Sequence, residues 1–169
     1  MVAAMALVPN PPADTQTSRI KEVFERQRET AIKLRTSTAA QRIAKIKTLR
    51  DAVLANAQAF YDAGYADFKK PPAEVDLAEI LPVIAEANDA IRSLKGWMKP
   101  QRVWPSRAMW GTRGYLQFEP RGRCLIISPW NYPVNLTFGP LVSALAAGNA
   151  VILKPALQSV RTAWLVARC

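Results

Sequence analysis

The chain has 169 residues, half of them apolar, with 23 Lys and Arg against 13 Asp and Glu, a formal charge of +10, no histidine and two cysteines. That length supplies one core and little for a second full domain. Without histidine it cannot build a Ser-His or Cys-His nucleophile pair or the commonest zinc sites, and Cys124 and Cys169 have neither metal-ligand nor disulfide-framework spacing, so no metal is expected and a reducing, cytoplasmic compartment fits.

Residues 1–18, opening MVAAMALVPNPP, have no basic n-region and too short an apolar stretch for a secretory signal, and read as a disordered or loosely docked leader. From 19 to 99 the pattern is helical. Arg19 to Arg35 carries a broken apolar stripe of Ile20, Val23, Phe24 and Ile32. Basic residues spread from Arg19 through Arg35, Arg42, Lys45 and Lys47 to Arg50, interleaved with Glu22, Glu25, Glu29 and Asp51, read as solvated helix faces. No aromatic-interleaved basic strand, zinc knuckle or glycine-rich loop accompanies them, which argues against a nucleic-acid partner.

Thr38 and Gln41 have capping-box spacing, and Ile43, Ile46, Leu49, Val53, Ala57 and Phe60 recur at three- and four-residue steps, predicting one long amphipathic helix that Lys69, Lys70, Pro71 and Pro72 stop. Asp76 and Glu79 repeat the capping-box spacing ahead of a stripe of Leu77, Ile80, Ile84, Ala87, Ile91 and Leu94, with Pro82 marking a first turn or a kink. Residues 104–120 read as an extended arm, its strand at Tyr115 to Phe118. Cys124 to Ile127 is a short apolar run expected to be a buried strand. The SPWNYP turn follows, then a small-residue helix with Pro140 in its first turn and Gly148 as C-cap, then the all-apolar strand of NAVILKP. Residues 123–155 are thus one βαβ unit, and SVRTAWLVARC begins a further helix. The longest apolar stretch, Leu141 to Leu153, is broken by Ser143, Gly148 and Asn149 and falls short of the ~20 residues a membrane span needs.

The segment ISPWNYPVNLTFGPLVSALAAGNAVILKP resembles the signature region of the aldehyde dehydrogenase superfamily, and is most similar to the class 3 branch, which acts on medium-chain, fatty and aromatic aldehydes. The likeness extends over the helices from about Arg19. It implies an α/β fold in which N-terminal helices precede the first βαβ unit of an incomplete Rossmann-like nucleotide-binding domain, with 19–169 the N-terminal part of that domain. It implies NAD or NADP as cofactor, an aldehyde substrate oxidised to a carboxylic acid, and a family-type homo-oligomer. Asn131 matches the amide that stabilises the oxyanion formed as a cysteine attacks the carbonyl, between Pro129 and Pro133, which limit backbone freedom. Ile127, Ser128, Pro129 and Trp130 match the cofactor groove, and Lys154 the contact with the adenosine ribose. On the residues alone, Asn131 reads as a helix cap instead.

Two departures stand out. The family pattern continues Lys-Pro-Ser-Glu, whereas here it reads Lys154, Pro155, Ala156, Leu157, without the acid that would bind ribose hydroxyls. Family members run well over twice this length, and their nucleophilic cysteine, water-activating glutamate and glycine-rich turn have no counterpart here. Cys124 reads as an inert thiol in a buried strand, and Cys169 lies outside any family motif. With the catalytic domain absent, the isolated chain is expected to be inactive. A non-catalytic interaction protein pairing with a full-length relative, and a basic helical nucleic-acid module, remain as alternatives.

Overall fold

A computed structural model describes residues 17–169, so the expected leader lies almost wholly outside the described residues. Helices α1 (Thr17–Arg26) and α2 (Arg28–Arg35) run along one side, their expected stripe still exposed at Ile20 and Ile32. The capping box forms as expected: the Thr38 hydroxyl accepts the Gln41 amide and the Gln41 side chain accepts the Thr38 amide, starting α3 (Ala39–Ala55). The long helix predicted to follow is two. At Asn56 the side-chain amide donates to the Ala52 carbonyl, competing with the backbone ladder, and α4 (Ala57–Phe68) continues beyond the break. Lys69, in the left-handed region at φ 59°, ends α4.

Asp76 and Glu79 do not cap a helix. The helix starts earlier, with Pro72 at the first position of α5 (Pro72–Val75), and passes through a π-helical turn (Asp76–Ile80) into α6 (Leu81–Trp97). In that turn the Leu81 amide reaches the Asp76 carbonyl, five residues back. Pro82 offers no amide to the Ala78 carbonyl, and the Asn135 side chain donates to it at 3.1 Å instead. Leu77, expected on the apolar stripe, is exposed.

The core lies between α3, α6 and the later helix α7 (Asn135–Ala146). Ile46, Leu49 and Val53 of α3 face Val83, Ala87, Ala90 and Leu94 of α6, both sets at three- and four-residue steps. Phe138 of α7 meets Phe60 of α4 edge to face, ring centroids 6.1 Å apart. Arg42 shares the α3 spacing and is buried with them. It is not on a solvated face: its guanidinium donates to the Ser37 hydroxyl and to the Ala146 carbonyl at the end of α7.

The extended arm is a hairpin. Strand β1 (Gln101–Val103) pairs antiparallel with β2 (Gly114–Leu116). Strand β3 (Arg123–Ile127), α7 and β4 (Ala150–Lys154) form the expected βαβ unit, with β3 and β4 parallel and Ile127 opposite Lys154. Pro140 lies in the second turn of α7, because the helix begins at Asn135, ahead of the expected start. The helix closes in a Schellman arrangement: the Gly148 amide donates to the Leu145 carbonyl and the Asn149 amide to that of Ala144. The buried Asn149 side chain then accepts the Gly122 amide, tying the end of α7 to the entry of β3.

Strand β3 is not buried on both faces. Helix α7 covers one, whereas on the other only Arg123 meets a helix, stacking on Phe24 of α1, and Leu125 and Ile127 are 60% and 65% exposed. Cys124, on the opposite face from Leu125, is only partly buried. Helix α8 (Val160–Val166) docks on α4 through Asp67, whose carboxylate accepts the Arg161 and Thr162 amides and the Thr162 hydroxyl. No helix among the described residues is long and apolar enough to cross a membrane.

Candidate functional site

The parallel pair aims its carboxyl ends at one edge, and open parallel sheets bind their ligands just outside such ends. There the Ser128 amide donates to the Lys154 carbonyl at 3.1 Å, so the chain leaves both strands at one level. Ser128 is buried, and its hydroxyl lies 2.6 Å from that of Thr137, which is also 2.6 Å from the Pro133 carbonyl. Pro133 is buried while Pro129, Trp130, Asn131 and Tyr132 are exposed, so the turn is an arch fixed at its feet.

The Asn131 side chain is exposed and has no hydrogen-bond partner among the described residues. Nor does it cap α7, whose N-cap is Val134 without a side-chain cap bond. Its backbone is tied instead: the Asn131 carbonyl accepts the Lys70 ammonium. Trp130 is half exposed, its ring 5.8 Å from that of Phe68. Ile127 and Lys154 are exposed at the strand ends, the Lys154 ammonium unpaired among the described residues. The six residues expected to serve the site therefore gather at one edge, five exposed and Ser128 buried beneath them. This surface is neutral to positive. No Asp or Glu follows Glu119, and the Glu79 carboxylate beneath the turn is engaged by Lys70 and the Val134 amide. An exposed ammonium beside accessible apolar side chains suits an anionic, partly apolar ligand.

Four residues that sequence reasoning missed support this edge. Lys70 and Glu79 form a buried ion pair of 2.8 Å. The other Glu79 oxygen accepts the Val134 amide at 2.7 Å. Phe68 packs against Trp130 with the rings tilted at 42°, and the Tyr61 hydroxyl donates to Asp76 at 3.0 Å, which holds its pKa above the ordinary value and anchors the π turn carrying Glu79. A glutamate within an apolar helical stripe is the signal that could have found the pair. Two clefts lie elsewhere: one of about 550 Å³ beside Lys33, Ser37 and Gly148, and one of about 290 Å³ beside Glu86, Trp97 and Phe118. Among the described residues no group of three metal-ligating side chains occurs.

A family model described as "Aldehyde dehydrogenase family" matches residues 10–169. Aldehyde dehydrogenase family 3 member B1 of Bos taurus is 40% identical over 146 residues, which is 86% of this chain and 31% of that protein. The substrate-bound AldH of Staphylococcus aureus superposes with a TM-score of 0.84 at 31% identity, over 88% of this chain and 32% of that one. Succinic semialdehyde dehydrogenase of Streptococcus pyogenes, solved with NADP+, shares the fold with a TM-score of 0.80 at 17% identity, over 92% of this chain and 34% of that one. The chain spans about a third of the length of the relatives it matches.

Proposed function

The chain belongs to the aldehyde dehydrogenase family, and we propose that it is the amino-terminal part of an NAD(P)-dependent enzyme that oxidises aldehydes to carboxylic acids. The observation that supports this reading is the exposed, uncommitted carboxamide of Asn131, carried on a turn with fixed feet at the carboxyl ends of β3 and β4. A carboxamide N–H is a neutral donor at every working pH. Aimed at a carbonyl oxygen that becomes an oxyanion during nucleophilic attack, it needs no reorganisation as charge develops.

NAD or NADP, when bound, accepts the hydride. The chain's own residues would hold it: backbone at Ile127 and Ser128 along the groove, Pro129 and Trp130 as its wall, and the Lys154 ammonium at the adenosine ribose. The attacking thiolate and the base that activates water are assigned to the part of the enzyme beyond these 169 residues. One oxyanion donor does not replace covalent catalysis, so the chain alone is inactive on this reading.

The test joins residues 1–169 to the remaining two thirds of a solved class 3-like relative and follows NAD(P)H formation with benzaldehyde and hexanal. Asn131→Ala should lower kcat about a hundred- to a thousandfold, the usual effect of deleting one oxyanion donor, with cofactor affinity little changed. A loss of only a few-fold removes Asn131 from this role. Turnover by the purified 169-residue chain would overturn the assignment of the nucleophile to the remainder.

A further inference from the structure

We infer that Lys70 and Glu79 are positioning residues for Asn131, a buried ion pair that holds the turn from beneath at both ends. The inference rests on the oxyanion role proposed for Asn131. The Lys70 ammonium donates to Glu79 and to the Asn131 carbonyl and sits 4.4 Å from the centroid of the Tyr132 ring. One carboxylate oxygen of Glu79 takes Lys70, and the other takes the Val134 amide at the entry to α7. The pair thus grips a carbonyl at one end of residues 131–134 and an amide at the other, and neither contact involves the Asn131 side chain, which stays free.

Burial makes the arrangement selective. The side chains of Lys70 and Glu79 are only 10% and 2% exposed. An ion pair taken so far out of water contributes little net stability against apolar residues of the same volume, so packing alone does not account for it. What charge supplies and methylenes do not is direction, since both contacts fix a backbone group in orientation as well as in place.

The local backbone is built to deliver Glu79 there. The π turn adds one residue to the helical circuit, which rotates the rest of the helix by about 100° relative to an uninterrupted α-helix. Tyr61 holds the turn at Asp76 and Asn135 holds it at Ala78, the carbonyl left open by Pro82. Lys70 follows the left-handed Lys69, which reverses the chain after α4 and lets residue 70 point back under the turn.

The double variant Lys70→Met with Glu79→Gln removes both charges, keeps the volume and leaves an amide oxygen for Val134, so the family-length chimaera should unfold close to the parent's midpoint. Its kcat should fall about ten- to a hundredfold, as for a reacting group displaced by about 1 Å, with KM for NAD(P) little changed. Made on the Asn131→Ala background, the same double change should cost less than about twofold, because residues that act through one group are not additive. Amide exchange across residues 128–136 should quicken in the double variant. Equal kcat losses on both backgrounds, unchanged kcat, or unchanged exchange would overturn the inference. If the parent chimaera does not oxidise aldehydes, the functional reading fails, and exchange at 128–136 alone then decides whether the pair holds the turn.

Discussion

Gly148→Ala tests how the end of α7 is locked to α3. Gly148 has φ +83°, where an L-residue costs about 1–2 kcal/mol. The added Cβ would lie 2.5 Å from the Arg42 Cζ and 2.6 Å from its Nη2. The guanidinium ends a flexible stem and can move aside, so the further cost is the contacts it gives up. Arg42 donates to the Ala146 carbonyl at 3.0 Å and to the Ser37 hydroxyl at 2.8 Å, and losing one hydrogen bond from a charged donor costs about 1.5–3 kcal/mol. The total is about 2.5–5 kcal/mol. With urea slopes of about 1–3 kcal/mol per molar, the midpoint of helix loss followed by circular dichroism should fall by about 1–5 M. On an Arg42→Met background only the backbone share remains, about 1–2 kcal/mol. A loss below about 1 kcal/mol, or the same loss on both backgrounds, would refute the coupling of Gly148 to Arg42.

Asp67→Ala removes the acceptor for the Arg161 and Thr162 amides and should cost about 1–2 kcal/mol, the scale of a lost helix cap, with exchange quickening in α8 before the rest of the core. Tyr61→Phe should flatten the alkaline side of the stability curve. The folded-state pKa of Tyr61 is raised by its hydrogen bond to Asp76, so its contribution is complete below the ordinary value of 10.0 and is lost as pH rises through the folded value; a parent and variant that lose stability in parallel above pH 10 would contradict this. In the family-length chimaera, Leu157→Glu should shift cofactor selectivity toward NAD, because a carboxylate repels the 2'-phosphate of NADP and accepts the ribose hydroxyls of NAD. Leu157 is 63% exposed, three residues past the end of β4, and unaltered NAD to NADP ratios of kcat/KM would refute the effect.

What the sequence shows clearly is what local chemistry decides. Thr38 with Gln41, Gly148 at the C-terminal end of α7, and two apolar runs flanking a helix each specify their structure from neighbours within a few residues, and each forms as expected. Two failures show where tertiary packing overrides a local pattern. Asp76 and Glu79 have the spacing of a capping box, but whether it forms depends on the backbone angles at Asp76, and tertiary packing holds that residue helical at ψ −54°. Arg42 reads as a solvated charge by its type, although its spacing from Ile46, Leu49 and Val53 places it on the buried stripe. For Arg42, position relative to the apolar period carries more information than residue identity.

The same distinction explains the open face of β3. A run of four apolar residues ordinarily reports a strand covered on both sides, yet Leu125 and Ile127 face outward here with only α7 behind them. On the proposed reading there is no conflict, because a strand's composition records the environment of the whole enzyme, and the second layer then belongs to the part beyond these residues. The turn differs from the strand in this respect. Its feet are held by Ser128, Thr137, Lys70 and Glu79, all within the chain, so the backbone of the turn has its supports among these residues. On the proposed reading, a turn that completes its own support before the rest of the sheet is added fixes the backbone that carries the Asn131 carboxamide.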